Sequence, residues 1–440
     1  MQTSAQVRNK AQWGWYWFDF GNSAYAAVVL LAVYSAYFQG KVSGGAEGSR
    51  LWGLSLGIAM LVVAVLTPIL GTIADHAASK KRFLFIFSTL SWVFTGLLFF
   101  VQAGDVFIGM LFFILAEIGY RGGQVFYNAL LMDVASPDEM GHVSGNGWAF
   151  GSIGGIVCLL LILPPIVLTR SNPLVVRGSF VFTALFFALS TIPLFLWVRE
   201  RREGKPLPAG ENYLSLAFRR IRSTFMAVRQ FRGFIKFIVA FLIYNDGILM
   251  ALNFAAIIGA VLFGMTQTQL IIFMIIVQVT SAIGAYVFGI WGEKYGFKQT
   301  LIAAILMMTA AVVWMIFNQT LIGYFIIGAV AGFALTGVQS ISRTMAGLFA
   351  PPSKSAEFFS FFAVAGKSTS FIGPTLFGAL AFRMSNWFQT QGFESATAEQ
   401  FGLRVSIVSM AVFLVVGLLI LLTLNEARAR QSAVEYVSAD

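Results

Sequence analysis

The sequence predicts an all-α membrane protein whose twelve transmembrane helices form two pseudo-symmetric six-helix halves. Three observations lead there. Of 440 residues, 58% are hydrophobic and 11% are charged, whereas soluble globular chains carry about 25% charged residues. A soluble protein this apolar would expose large greasy patches, and a bilayer tolerates such a surface. Apolar stretches near the ~20 residues that a spanning helix needs recur twelve times. Features of the first half of the chain also return in the second at a nearly constant offset.

The apolar stretches lie near 14–38, 52–74, 83–103, 106–132, 143–168, 178–198, 234–263, 267–291, 300–317, 320–345, 356–382 and 402–424. Arg8 and Lys10 precede the first, and no small-residue cleavage site follows it, so it reads as a retained helix rather than a signal peptide. Basic residues set the orientation. With the N-terminus inside, the inner loops hold Lys80, Lys81, Arg82, Lys294, Lys298 and Lys354, and the tail adds Arg428 and Arg430. The outer loops hold Lys41, Arg50, Arg170, Arg177, Arg383 and Arg404. The long central loop, 199–236, is the most basic, with ten basic and three acidic residues. Both termini are expected on the cytoplasmic side.

The domains follow as an N-terminal half (1–198), a basic cytoplasmic linker (199–233), a C-terminal half (234–425) and a cytoplasmic tail (426–440). In the linker, Leu214, Phe218, Ile221, Phe225 and Val228 recur every three or four residues, with Arg219, Arg220, Arg222, Arg229 and Arg232 between them. That pattern suits an amphipathic helix lying on the inner membrane surface; a plain basic tether is the alternative. The net charge of +10 collects in loops rather than on one soluble face, which argues against nucleic acid. A single cysteine, Cys158, allows no intramolecular disulfide. His76 and His142 give no zinc spacing, and no metal or other cofactor is expected.

The repeat is clearest after the second and eighth spans. Gly71, Asp75 and Lys80 match Gly289, Glu293 and Lys298 at one offset, which also maps Glu139 onto Glu357 and Gly155 onto Gly373. Arg121 and Arg343 fall within a turn of it. Each motif reads as a gating clasp. The glycine permits close helix approach, and the acid accepts from the start of a neighbouring helix and attracts the following bases. An ordinary turn with positive-inside lysines is the plain alternative. Two such halves in parallel repeat define the major facilitator architecture, with a solute site expected between them near the midplane.

Ionisable residues inside spans are costly and mark function by default. The candidates among them are Asp19, Glu117, Arg121, Asp246, Arg343 and Lys367. Glu117 and Arg121, four apart, share a helix face. They form either a structural pair or one that breaks when a proton or substrate arrives. Asp246, in Tyr244-Asn245-Asp246-Gly247, lies near mid-bilayer; it lines the cavity or is satisfied by Lys367. Asp19, Asn22 and Ser23 form one polar stripe, with Asp19 the approximate counterpart of Asp246 and a gate role as alternative. Arg343, near a helix end, either gates or snorkels. Gly145, Gly147, Gly151, Gly154 and Gly155 suggest close helix packing.

Trp17-Phe18-Asp19-Phe20-Gly21-Asn22-Ser23-Ala24-Tyr25 and Tyr244-Asn245-Asp246-Gly247 resemble signatures of the vacuole effluxer family within the major facilitator superfamily. So do Gln339-Ser340-Ile341-Ser342-Arg343, Glu357-Phe358-Phe359, Gly366-Lys367 and Gly373-Pro374. The resemblance runs from about 13 to 424. It implies a twelve-helix exporter or symporter, carries Asp19, Asn22, Ser23, Asp246, Arg343 and Lys367 as functional residues, and associates fungal members with amino-acid efflux from vacuoles.

The sequence thus points to a secondary transporter of a small polar or zwitterionic solute, such as an amino acid or small peptide, working by alternating access. Asp19, Asn22, Ser23, Glu117, Arg121, Tyr244, Asn245, Asp246 and Lys367 are its expected substrate or proton ligands, with proton coupling through Glu117 or Asp246. A monomer in a bacterial inner membrane is expected. The alternatives are an exporter of amphipathic drugs and a non-transporting sensor or scaffold. No G-x-x-x-x-G-K-[ST] loop and no His-Glu-x-x-His motif occurs, which disfavours an ATP-driven pump and an intramembrane enzyme.

Overall fold

The computed structural model describes residues 4–76, 79–136, 139–200, 212–351 and 354–437. Sixteen α-helices run through these residues: α1 (Ser4–Tyr25), α2 (Tyr34–Tyr37), α3 (Gly45–His76), α4 (Lys80–Leu97), α5 (Val106–Val134), α6 (Met140–Leu168), α7 (Pro173–Trp197), α8 (Tyr213–Val228), α9 (Arg232–Phe263), α10 (Gln267–Tyr295), α11 (Phe297–Phe317), α12 (Leu321–Leu348), α13 (Ser355–Thr369), α14 (Ile372–Thr390), α15 (Ser395–Leu422) and α16 (Glu426–Val437). Among the described residues, eleven helical stretches are long and apolar enough to cross a membrane, and the chain is an integral membrane protein.

Two expected spans differ in form. The first extends from Arg8 to Ser43 rather than over 14–38. It passes through π-helical turns at Ala26–Ala32 and Phe38–Ser43, with Val33 N donating five residues back to Val28 O at 2.8 Å. Each such turn holds one residue more than an α-turn and re-aims the side chains that follow.

The expected span 356–382 is not one helix: α13 ends at Thr369, α14 begins at Ile372, and Ser370 and Phe371 form a turn between them. Pro374 supplies the cause. It has no N–H to give the carbonyl four residues earlier, that of Ser370, and its ring crowds that carbonyl. In the first turn of α14 the same proline is tolerated.

Local rules set the helix ends. Asn172 Oδ1 accepts from Leu174 N with Pro173 at the first helical position of α7. Thr320 Oγ1 accepts from Gly323 N at the start of α12. Gly264, at φ +61°, closes α9 in the left-handed conformation, and Met265 N donates to Gly259 O.

The chain divides into two compact units. The first comprises residues 1–44, 58–217 and 266–274; the second comprises 45–57, 218–265 and 275–440. Within the first, α4 and α7 cap each other. Lys81 Nζ donates to Phe195 O at 2.8 Å and Val198 O at 2.7 Å, and Arg177 Nη1 donates to Phe99 O at 3.3 Å. Within the second, α11 and α15 do the same. Lys298 Nζ donates to Leu424 O at 2.6 Å and Leu422 O at 3.3 Å, and Arg404 Nη1 donates to Ile316 O at 2.7 Å and Asn318 O at 3.0 Å. Cations on the orphan carbonyls of a helix C-terminus satisfy both hydrogen bonding and the dipole.

The contacts correct the sequence alignment of the repeat. Lys298 corresponds to Lys81, one residue beyond Lys80. A Cβ on Gly154 would meet Phe20 O, and one on Gly373 would meet Asp246 O. Gly154, not Gly155, therefore matches Gly373, and Asp246 matches Phe20. Gly147 faces the Trp15 ring as Gly366 faces that of Phe241, and Gly21 faces α7 as Gly247 faces α15. By this register the counterpart of Asp19 is Asn245, not Asp246. A shift of one residue turns a side chain about 100° around a helix, so the two aspartates occupy different faces of equivalent helices.

Candidate functional site

In the first unit a polar cluster forms where α1 meets α5 and α6. Gly151 of α6 makes the room for it. A Cβ there would lie 2.5 Å from Asp19 Oδ2 and 3.1 Å from Ser23 Oγ, so Asp19 and Ser23 share one face as their spacing predicts. Asn22 is buried and lies in side-chain hydrogen-bonding reach of Asp19.

On α5, Glu117 is wholly buried and Arg121 Nε donates to Glu117 Oε1, pairing the two across one helical turn. Tyr25 stacks on Tyr120 with ring centroids 4.7 Å apart. The Tyr25 hydroxyl approaches Glu117, and the charges of Arg121, Glu117 and Asp19 all act on the Tyr120 hydroxyl. Yet neither Tyr25 Oη nor Glu117 Oε2 makes a hydrogen bond of acceptable geometry. A buried carboxylate whose second oxygen is unsatisfied is a costly arrangement, and a ligand donor or a proton relieves it.

In the second unit, α9 carries the Tyr244–Asp246 segment. Tyr244 is fully buried, and its hydroxyl lies 2.7 Å from Ser342 Oγ on α12. Asn245 is half-buried and Asp246 is buried at 2% exposure. Thr369, the last residue of α13, lies beside the Asp246 carboxyl. Lys367 is half-buried in the last turn of α13. Arg343 is exposed.

The expected clasp residues behave differently. A Cβ on Gly71 or Gly289 would meet no atom within 4 Å. Gly292, one turn on, is the crowded one, against the Phe297 ring and Ile341. Glu293 is exposed. The Asp75, His76 and Glu357 side chains, Ala78, the linker stretch 201–211, and the side chains of Leu214, Arg220 and Ile221 lie outside the described residues.

Lys80 forms a buried ion pair with Asp133 of α5 at 2.8 Å, and its ammonium also reaches Ala129 O at 3.4 Å. The start of α4 is held by Glu200, whose carboxylate accepts from Lys80 N at 2.9 Å and Lys81 N at 3.0 Å. Sequence reasoning missed both acids. Asp133 stands one residue past the expected end of its span, and Glu200 sits among the linker arginines. It also missed Thr369, although Ser368-Thr369-Ser370 just ahead of Gly373-Pro374 is a legible break signal.

Apolar helices carrying buried, partly unsatisfied charge at their packed faces suit a membrane transporter. The same fold is seen in a bacterial homologue of the human lysosomal transporter Spinster, solved inward-facing and unoccupied. The TM-score is 0.71 at 17% identity, over 98% of this chain and 99% of that one. The family model for vacuole effluxer Atg22-like proteins matches residues 52–141 and 135–434, and the chain belongs to that family. It is similar to the uncharacterized MFS-type transporter YxiO of Bacillus subtilis (strain 168), 28% identical over 94% of each chain. It is also similar to autophagy-related protein 22-1 of Aspergillus niger, 22% identical over 66% of this chain; the match spans 48% of that longer protein.

Proposed function

We propose that this transporter is a secondary carrier of a small polar or zwitterionic solute, an amino acid or small peptide, working by alternating access with proton coupling through Glu117. The observation that carries the reading is the Glu117–Arg121 pair, buried beside Asp19, Tyr25 and Tyr120 with Glu117 Oε2 unsatisfied. A zwitterion brings one group for each charge. Its carboxylate competes with Glu117 for Arg121, and its ammonium suits Asp19, supported by Asn22 and Ser23. A proton on Glu117 cancels the charge that holds Arg121 and frees the guanidinium for the solute. Loss of that proton restores the pair and expels the anionic group. This ordered exchange links proton and solute without any covalent step.

In this reading α13 and α14 cross the membrane together as one interrupted span, which brings the number of spans to twelve. Discontinuous helices of this kind are tolerated at membrane depth where they line a cavity or are buried in protein. Both termini face the cytoplasm, the protein sits in a bacterial inner membrane, and it works as a monomer.

The test is solute-driven proton flux in proteoliposomes holding an internal pH dye. Pooled amino acids, dipeptides, sugars and organic acids are added in turn to the wild type and to Glu117→Gln. A pH change driven by amino acids or dipeptides and absent in the variant is the expected result. Solute uptake that moves no protons, or an unchanged pH response in Glu117→Gln, overturns the proton assignment. Uptake restricted to sugars or organic acids overturns the substrate class.

A further inference from the structure

We infer that Asp246 and Thr369, at the interruption between α13 and α14, form a binding site for a small alkali cation, sodium being the probe. The inference rests on the transporter reading for its use in coupling, but the site itself stands on the second unit alone.

The argument begins with Asp246. Among the described residues no basic side chain forms an ion pair with it. It is nevertheless buried at 2% exposure, and its Oδ1 makes no hydrogen bond. Its counterpart in burial, Glu117, has Arg121. An unpaired carboxylate removed from water is strongly unfavourable and is relieved by a proton or by a bound cation; the oxygens around Asp246 favour the cation.

The hydroxyls around the interruption supply the second observation. Ser368 Oγ donates to Val364 O at 2.8 Å, Ser370 Oγ to Lys367 O at 2.9 Å, and Thr375 Oγ1 to Phe371 O at 2.8 Å. Each thus spends its proton on its own helix, the ordinary habit of a helical hydroxyl. Thr369 does not. Its Oγ1 is buried, makes no bond to its own helix, and has the Asp246 carboxyl as its side-chain neighbour. A hydroxyl oxygen held next to a carboxylate without donating elsewhere is presented as a ligand.

The backbone adds a third kind of oxygen. α13 ends at Thr369, so its last carbonyls lack the backbone donors of a continuing helix, that of Lys367 taking Ser370 Oγ instead. Pro374 leaves the next carbonyl, that of Ser370, without its usual donor. The negative end of the α13 dipole lies at this point. Packing brings α14 onto α9 here, since a Cβ on Gly373 would lie 2.8 Å from Asp246 O. Carboxylate, hydroxyl and unwound carbonyls together are the oxygen set that half-helix ends offer to monovalent cations in transporters. One carboxylate is too little charge for a calcium or magnesium cage. Lys367 stands two residues from Thr369, about 200° away around α13.

The experiment is the thermal unfolding midpoint of the purified full chain in detergent, titrated with NaCl against choline chloride at constant ionic strength and pH, together with ²²Na⁺ equilibrium dialysis. A saturable, sodium-specific rise in midpoint with stoichiometric ²²Na⁺ binding is expected. Asp246→Asn abolishes both. Thr369→Val raises the half-saturating sodium concentration about tenfold, the loss of roughly one ligand's contribution. Ser368→Ala leaves it unchanged. The inference is overturned if sodium and choline give the same midpoint and no ²²Na⁺ is retained. It is equally overturned if Thr369→Val binds sodium like the wild type, a result that holds even where Asp246→Asn fails to fold. Sodium binding without any solute transport would sink the carrier reading and leave the site standing.

Discussion

Replacing Lys80 with methionine strands Asp133 inside the first unit. The two side chains are 7% and 0% exposed, and their charged atoms lie 2.8 Å apart. At an effective dielectric of about 20, unit charges 4 Å apart attract by about 4 kcal/mol, and that attraction offsets the desolvation of both. Removing one partner from a buried pair costs about 3–5 kcal/mol, because the remaining charge is left uncompensated. Lys80→Met also loses the longer bond to Ala129 O. Asp133→Leu strands the ammonium in the same way. The double variant Lys80→Met/Asp133→Leu buries no charge and is expected within about 1–2 kcal/mol of the wild type, since apolar replacements of buried pairs are often neutral or stabilising. The assay is reversible unfolding in mixed micelles, with tryptophan emission followed against SDS mole fraction, closed as a double-mutant cycle. The expected coupling exceeds about 2 kcal/mol, within the range for residues in direct contact. Additive single losses, with coupling below about 0.5 kcal/mol, would refute the reasoning and show that the pair carries no net compensation. A double variant that folds like the wild type but transports poorly would separate a gating role for Lys80 from its structural one.

Other outcomes follow from the same contacts. Gly154→Ala places a Cβ 2.1 Å from the Phe20 carbonyl oxygen, which cannot move aside, and should lose about 1–3 kcal/mol by the same unfolding assay. Gly151→Ala meets instead the movable Asp19 carboxyl, so it should keep its stability and lose solute uptake. Lys298→Met removes the donor to Leu424 O and Leu422 O and should cost about 1 kcal/mol. Glu139, at the start of α6, has its carboxyl held below the usual value of 4.5 by hydrogen bonding to Ser136, with Arg8 and His142 adding to it. A depressed acid contributes stability that is complete above about pH 4.5 and is lost as pH falls through its folded value. The stability gap between wild type and Glu139→Gln should therefore shrink as pH falls through the folded value and close below pH 4.5.

The candidate site was partly legible in the sequence. Glu117 and Arg121 were readable as a pair because i,i+4 spacing fixes a shared face before any packing occurs. Asp19, Asn22 and Ser23 were readable as a stripe for the same reason. Their neighbour Gly151 was read only as a packing glycine, because what a missing side chain makes room for depends on which helix lies opposite. Asp133 and Glu200 reach Lys80 and the start of α4 from elsewhere in the chain, since such pairing is set by distance in space and not along the chain. The match of Asp19 to Asp246 is only approximate, one residue off, for the same reason. Identical letters suggest an alignment, but only the carbonyls that Gly154 and Gly373 face fix the register.

Composition and hydropathy by themselves determined that this is a helical membrane protein and where its helices run, because lipid leaves a chain no other way to satisfy its backbone except a closed barrel. Local spacing determined which charges could share a face. Tertiary structure decided which buried charges are compensated. Glu117 has Arg121 one turn away, Lys80 has Asp133 from another helix, and Asp246 has a neutral hydroxyl and an interrupted helix end. That choice rests on desolvation and on contacts across helices, neither of which a one-dimensional pattern contains.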